Sequence, residues 1–144
     1  MNFKADLHNH TTHSDGWLSV ESLLRKAILQ RLDVISITDH DTVSGYIEAL
    51  ERNKKYGIKL IPGIELSAQY NNYEVHVLGY FFDPYDSDLN DYSETLKIDR
   101  YQRAERIVEN LRNAGHDISM EDVKYECKGD FFGRPHIAKA LIRK

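Results

Sequence analysis

The stretch Asp33-Val34-Ile35-Ser36-Ile37-Thr38-Asp39-His40-Asp41 decides the architecture. Residues 33–38 are mainly apolar and β-branched, and read as a buried strand. The polar triplet Asp39-His40-Asp41 follows at its carboxyl end. Upstream, Val20, Leu23, Leu24, Ala27, Ile28 and Leu32 recur at helical spacing, with Arg25, Lys26 and Gln30 on the other face. Ser19 stands where a helix cap belongs. Downstream, a second helix is expected over about 43–56, with Gly57 as its C-terminal glycine. A strand over 58–61 then ends at Pro62-Gly63, and residues 3–8 and 73–82 read as further strands. The order is β-α-β-α-β-β, with helix-length crossovers between the first three strands. It predicts an α/β fold, a parallel sheet or barrel with helices outside. After Pro84 the texture changes. Residues 87–114 are polar and helical up to Gly115, and shorter helical stretches follow at about 119–126 and 135–144.

The chain has 144 residues, 19 basic and 23 acidic side chains, a net charge of −4 and a pI near 6.0. That balance argues against coating long nucleic acid by bulk electrostatics, but not against one nucleotide or a strand end in a local basic pocket. Residues Met1 to Asp6 hold no apolar run of the signal-peptide kind, and no segment approaches the ~20 apolar residues of a membrane span, so a cytoplasmic protein with no membrane partner is expected. A single cysteine, Cys127, excludes an intrachain disulfide and a site of several thiolates. Four of seven histidines fall within the first 40 residues, which directs attention there.

That region opens with Asp6-Leu7-His8-Asn9-His10 and then Ser14-Asp15-Gly16. At a strand end, residues two apart point to the same side, so His8 and His10 can converge on one metal ion, with Asp15 in the loop beyond. Asp39-His40-Asp41 sits at the carboxyl end of its strand, the edge where parallel α/β folds build sites. Glu65 closes the third strand in Ile61-Pro62-Gly63-Ile64-Glu65, and His76 lies inside the fourth in Glu74-Val75-His76-Val77. Each motif alone also suits capping or core packing. Together they place His, Asp or Glu where successive strands would meet. Imidazole and carboxylate donors without thiolate suit Zn²⁺, Mn²⁺ or Fe²⁺.

These motifs, in this order and spacing, resemble the PHP (polymerase and histidinol phosphatase) family over about residues 5–80. The resemblance implies part of a distorted (β/α)7 TIM-like barrel over residues 1–85, followed by a helical insertion over 86–144. It implies a metal-dependent phosphoesterase, a hydrolase with two or three divalent ions (Mn, Zn or Fe) that attacks a phosphate ester with a metal-bound hydroxide. Carried over by position, His8 and His10 bind one ion, Glu65 bridges it to a second, His76 binds the second, and Asp15 and His40 bind a third. Asp15, His40 and Glu65 are thereby the catalytic set. Asp6, Asp39 and Asp41 are at most orienting groups, and His13 and His116 receive no role. The later ligands of the family, including an Asp-x-His pair, are absent. The chain is therefore expected to be the N-terminal half of a longer enzyme, weak in metal binding and phosphatase activity by itself, with the rest of the barrel encoded by the same gene.

Gly133-Arg134-Pro135-His136 resembles a subgroup whose members remove a phosphate from nucleoside 3′,5′-bisphosphates or trim RNA from its 5′ end. The substrate implied is a small phosphorylated molecule, a nucleotide or an RNA 5′ end. Arg134 and His136 are candidate phosphate contacts, joined by Arg100 and Arg103. With Arg106 these recur every three residues on the 87–114 helix, where a solvated face balanced by Glu94, Glu105 and Glu109 is the plainer reading. Tyr101, Tyr125, Phe131 and Phe132 are candidates to stack a base, or core residues. The alternatives are a histidinol phosphatase or polymerase-associated exonuclease module of the same family, or a catalytically inert metal-binding interaction domain. Amidohydrolases also use His-x-His, but Asp-His-Asp after the second strand and Glu65 after the third fit them poorly.

Overall fold

The computed structural model describes residues 3–127 and 129–144. Met1 and Asn2, which entered the reading of the N-terminus, lie outside the described residues. The elements run β1 (Ala5–Asp6), α1 (Val20–Leu29), β2 (Val34–Ile37), α2 (Ser44–Arg52), β3 (Lys59–Tyr70), β4 (Tyr73–Tyr80), α3 (Ser87–Asn113), α4 (Met120–Glu126) and α5 (Arg134–Arg143). The strands form one sheet in the order β1-β2-β3-β4.

β2 is buried along its whole length because it is central in the sheet and lies under α1 and α2. Val20, Leu23, Leu24 and Ala27 of α1 meet Ile35 and Ile37 of β2 and Tyr46 and Ala49 of α2. Each large aliphatic side chain so buried contributes about 1.5–3 kcal/mol. Ser19 caps α1 as expected, its hydroxyl accepting from the Ser22 N–H at 3.3 Å. The helix stops at Leu29, so Leu32 packs on this core from beyond the helix, and Ile28 is partly exposed.

Three expectations need correction. The first strand is two residues long, not six, and paired to β2 only at Ala5↔Val34 and Asp6↔Ile35. Past it the Asn9 side chain replaces the ladder, donating to the carbonyls of Asp6 and Ser36, both at 3.1 Å. Second, α2 gives way after Arg52 to a tight 3₁₀ turn over 53–55. Asn53 ends it, bonding both N–H and C=O of Ile58, while Gly57 takes φ +68° as a terminating glycine does. Third, Pro62-Gly63 does not end β3, which runs on to Tyr70. The strand changes partners there. Lys59 to Pro62 pair in parallel with β2, and Gly63 to Tyr70 pair antiparallel with β4. A proline without an N–H is tolerated at that handover. Its carbonyl accepts from the Phe81 N–H at 3.1 Å. Asn71 and Asn72, at φ +47° and +67°, make the two-residue turn of this hairpin. Gly63 is required by its neighbours, because a Cβ there would lie 2.1 Å from Ser36 Oγ.

α3, α4 and α5 share a separate apolar cluster of Ala104, Val108, Ile118, Val123, Ile137 and Ala140. Asp86 caps α3. At its other end Gly115 and His116 return hydrogen bonds to Arg112 and Leu111 in a Schellman arrangement. Ser119 and Asp122 form a reciprocal capping box on α4.

Candidate metal centre

β1, β2 and β3 end or pass side by side, and the chain just beyond β1 and β2 stays in register. The Thr38 N–H donates to the Asn9 carbonyl at 2.8 Å, and His40 pairs in parallel with Glu65. This brings the histidines of two loops onto the carboxylate of β3. His8 Nε2 and His10 Nε2 lie 2.8 and 3.0 Å from Glu65 Oε2, and 3.0 Å from each other. On the other oxygen, His76 Nδ1 lies 2.8 Å from Glu65 Oε1. That contact is diagonal across the hairpin, since His76 is in register with Ser67. His40 Nδ1 stands 3.9 Å from Glu65 Oε1, and His40 Nε2 3.7 Å from Asp15 Oδ2. His10 Nδ1 stands 3.5 Å from Asp15 Oδ1.

The residues named from the sequence thus meet in three interlocking groups: His8, His10 and Glu65; His10, Asp15 and His40; His40, Glu65 and His76. Within each group the donor atoms lie within 4.8 Å of one another. Glu65 is not at a strand end, as its motif suggested, but inside β3, just past the partner handover.

The donor set fits divalent cations. Among the described residues, His40 Nδ1 is buried without a hydrogen-bond partner, and its nearest carboxylate oxygen is 3.9 Å away. That spacing is too long for a hydrogen bond and leaves the nitrogen open to a cation. Burial pushes the Glu65 carboxyl up, but His8, His40, His10 and His76 outweigh it and hold it below its ordinary range. Burial pushes the His40 imidazole down against the pull of Asp15 and Glu65, which favours the neutral, metal-binding form.

A polar knot underneath holds the loops. Asp39 is buried, its carboxylate accepting from the Thr11 N–H, the Thr11 hydroxyl and the Ser14 hydroxyl, each at 2.6 Å. Gly45 makes room for it, since a Cβ there would lie 2.1 Å from Asp39 Oδ2. Asp41, at φ +56°, turns the other way. It accepts from the Ser67 N–H at 2.6 Å and pairs with Arg100.

The substrate candidates separate. Arg100 is largely buried, bonded to Asp41 and Ser67 and lying 4.5 Å over the Phe131 ring. It clamps α3 to the sheet before it serves anything else. Arg103 and Arg134 converge with it on a cleft of about 380 Å³ shared with Asp15, His40 and His76. Burial, then Arg100 and Arg134, push the Arg103 guanidinium down. His136 does not join them. It is buried, accepts from the Gly133 N–H at 3.2 Å as part of the α5 cap, and lies outside that cleft lining. Of the aromatic candidates only Phe131 lines the cleft. Tyr101 and Phe132 pack edge to face, and Tyr125 lies under Arg143.

Sequence reasoning missed Glu74. It faces His76 Nε2 at 3.5 Å, pairs with Arg134, and reaches Arg103 at 3.9 Å. Its position two residues before His76 on a strand, hence on the same face, was the available signal. His13, given no role, meets Glu48 at 2.6 Å.

The profile of the PHP domain matches residues 6–144. The chain is 34% identical over 139 residues to the 5′-3′ exoribonuclease Rnm of Escherichia coli, spanning 95% of this chain and 47% of that protein. It is 28% identical over 138 residues to a 3′,5′-nucleoside bisphosphate phosphatase of Chromobacterium violaceum, spanning 95% and 48%. A solved structure from Chromobacterium violaceum, described as an amidohydrolase with bound sulfate, superposes with a TM-score of 0.90 at 27% identity, covering 97% of this chain and 50% of that one. The chain spans about half the length of the curated relatives it matches. The sheet is accordingly a curled half of a TIM-like barrel. No helix among the described residues is long and apolar enough to cross a membrane.

Proposed function

The chain belongs to the PHP domain family, and from that membership we propose that it forms the ligand-bearing part of a metal-dependent phosphoesterase acting on a nucleotide or the 5′ end of a short RNA. The observation that carries this reading is the meeting of two opposed sets of groups in one cleft. Asp15, His40 and His76 line it beside the Glu65 cluster, and Arg100, Arg103 and Arg134 face them from the helices. A phosphate is the anion such a cleft suits, held between cations of the protein and cations of the metal centre.

His8, His10 and Glu65 would hold one ion, Glu65 and His76 a second, and Asp15 and His40 a third. Two or three divalent ions of Mn, Zn or Fe suit these donors. When bound, they would supply Lewis acidity and an activated water. Glu65 offers its two oxygens to different histidine sets. Asp15 and His40 orient the reacting phosphate edge. Arg103 and Arg134 are drawn from Glu74 to the substrate phosphate, while Arg100 keeps α3 in place. Residues 1–85 are the barrel part of the protein and 86–144 its helical insertion, with the barrel completed by sequence beyond the chain.

Metal analysis after Mn²⁺ loading, together with phosphate release from a nucleoside 3′,5′-bisphosphate and from histidinol phosphate, tests the reading. Metal bound to the chain and lost in both His8→Ala and Glu65→Ala supports the ligand set. Unchanged content in both variants overturns it. Phosphate release is measured on the protein carrying the whole barrel: preference for histidinol phosphate there moves the assignment within the family, and bound metal with release from neither substrate returns it to an inert metal-binding domain.

A further inference from the structure

Two segments form a shared wall beside the cleft: the loop over 13–17 and the start of α5. Asp15, Arg134 and Pro135 face the cleft. Ser14, Gly16, His136 and Lys139 face away from it, into a small groove of about 60 Å³ that also holds Trp17. Trp17 is the only tryptophan of the chain, and it is 79% exposed. An isolated exposed aromatic is unremarkable in itself. This one differs in three ways. Its base is stiff, because the Thr12 N–H donates to Leu18 and the Ser14 and Gly16 N–H groups to Thr11, all at 3.0 Å. Gly16 is packed against the His10 carbonyl, which a Cβ would approach to 2.3 Å. The indole is also oriented: Lys139 Nζ lies 4.2 Å over its centroid, leaving the opposite face to solvent. Finally, the one acid lining the groove, Glu126, is engaged by Arg143 at 2.8 Å. Lys139 therefore keeps its positive charge toward an arriving anion.

We propose that Trp17, backed by Lys139, is a stacking platform for the base of a second nucleotide, so that an oligonucleotide strand leaves the cleft across this wall. The idea rests on the nucleotide reading of the cleft. Stacking on an indole accepts any base, and a lysine beside it takes the linking phosphate. Arg103 and Arg134 in the cleft, then Lys139 beyond the wall, give a basic track on a chain whose net charge is −4. That is the local form in which an acidic protein engages a strand.

Trp17 is its own reporter. The chain, loaded with Mn²⁺, is titrated with AMP and with a 5′-phosphorylated pentaadenylate whose linkages are phosphorothioate to slow cleavage. Tryptophan fluorescence and calorimetry are recorded. The pentaadenylate is expected to quench the fluorescence and bind tighter than AMP. Trp17→Ala weakens it by about five- to a hundredfold while AMP affinity stays within about twofold, and Trp17→Phe restores most of the loss. Lys139→Gln lowers the salt dependence of pentaadenylate binding. With its side chain in solvent, Trp17→Ala should fold normally. If both ligands bind but the variant changes neither, or changes both equally, the platform is overturned and the cleft reading stands. If the wild-type protein carrying the whole barrel binds neither ligand, the nucleotide reading falls and the platform with it.

Discussion

The strand-built region around Glu65 and the helical region of α3, α4 and α5 face each other across one cleft, and they deliver charge by opposite means. In the first, His8, His10, His40 and His76 are fixed by backbone register and by the Asp39 knot, and converge on one carboxylate at 2.8–3.9 Å. In the second, arginines project from amphipathic helices, and each finds an acid: Arg100 finds Asp41, while Arg103 and Arg134 find Glu74. On the reading proposed above, the strand side is prearranged for cations, and two of the ion pairs that hold the helical side exchange for an anion. A site built this way separates metal affinity from substrate affinity, and mutations on the two sides should separate them too.

The largest effect belongs to Glu65. Glu65→Gln keeps the shape but removes the charge shared by the four histidines. Bound metal should fall at least about tenfold by mass-spectrometric analysis, with the circular dichroism of the helices unchanged. Metal retained at full stoichiometry would break the comparison at its strongest point. Arg100→Ala comes next. It leaves Asp41, almost fully buried, without its cation, and should cost about 3–5 kcal/mol in denaturant unfolding. A loss below about 1 kcal/mol would show that Arg100 belongs with the exchangeable pair. Arg134, 61% exposed at its side chain, should behave in the reverse sense. Arg134→Ala leaves unfolding nearly unchanged and weakens inorganic phosphate binding about tenfold by calorimetry, with metal content intact.

The smallest effect is acid sensitivity at α4. The Ser119 hydroxyl, ahead of Lys144, holds the Asp122 carboxyl down from 3.8 to about 2. A depressed carboxylate contributes stability above its unfolded value and loses it as pH falls through the folded one. Fraying of α4 should thus begin below about pH 4 and finish near pH 2, read by amide hydrogen exchange of residues 119–126. Asp122→Asn should remove that pH dependence. The same exchange in Asp122→Asn should leave β2 and β3 untouched.

The two regions were also unequally legible. The meeting of His8, His10, His40, Glu65 and His76 was legible in the order and spacing of their motifs, although β1 stops at Asp6 and Glu65 lies inside β3 rather than at a strand end. The continuation of β3 through Pro62-Gly63 was hidden because the break in its hydrogen bonding is absorbed by a change of partner, which local sequence does not encode. β4 was read as a strand, but its direction rests on Asn71 and Asn72 adopting positive φ. On the helices, spacing at every third residue placed Arg100 and Arg103 on one face without telling which would be locked. That depended on Asp41 turning toward α3 in a left-handed conformation. His136 followed the same logic. Its proximity in sequence to Arg134 suggested a shared target, but two residues along a helix rotate a side chain by about 200°, which carried it to the other side of the wall, where it bonds Gly133.

The change of partners along β3 also bears on the order in which the protein assembles. The hairpin closes from Tyr70↔Tyr73 outward to Gly63↔Tyr80, each step local in sequence, on a timescale of about microseconds. The parallel ladder from Val34↔Lys59 to Ile37↔Pro62 must first close a loop containing α2, which is slower. Glu65 meets His76 in the first event and His8, His10 and His40 only after the second. The appearance of a complete ion-binding cluster therefore times the docking of an early hairpin onto the α/β layer. A metal-sensitive probe in a refolding experiment would report that late step rather than the hairpin itself.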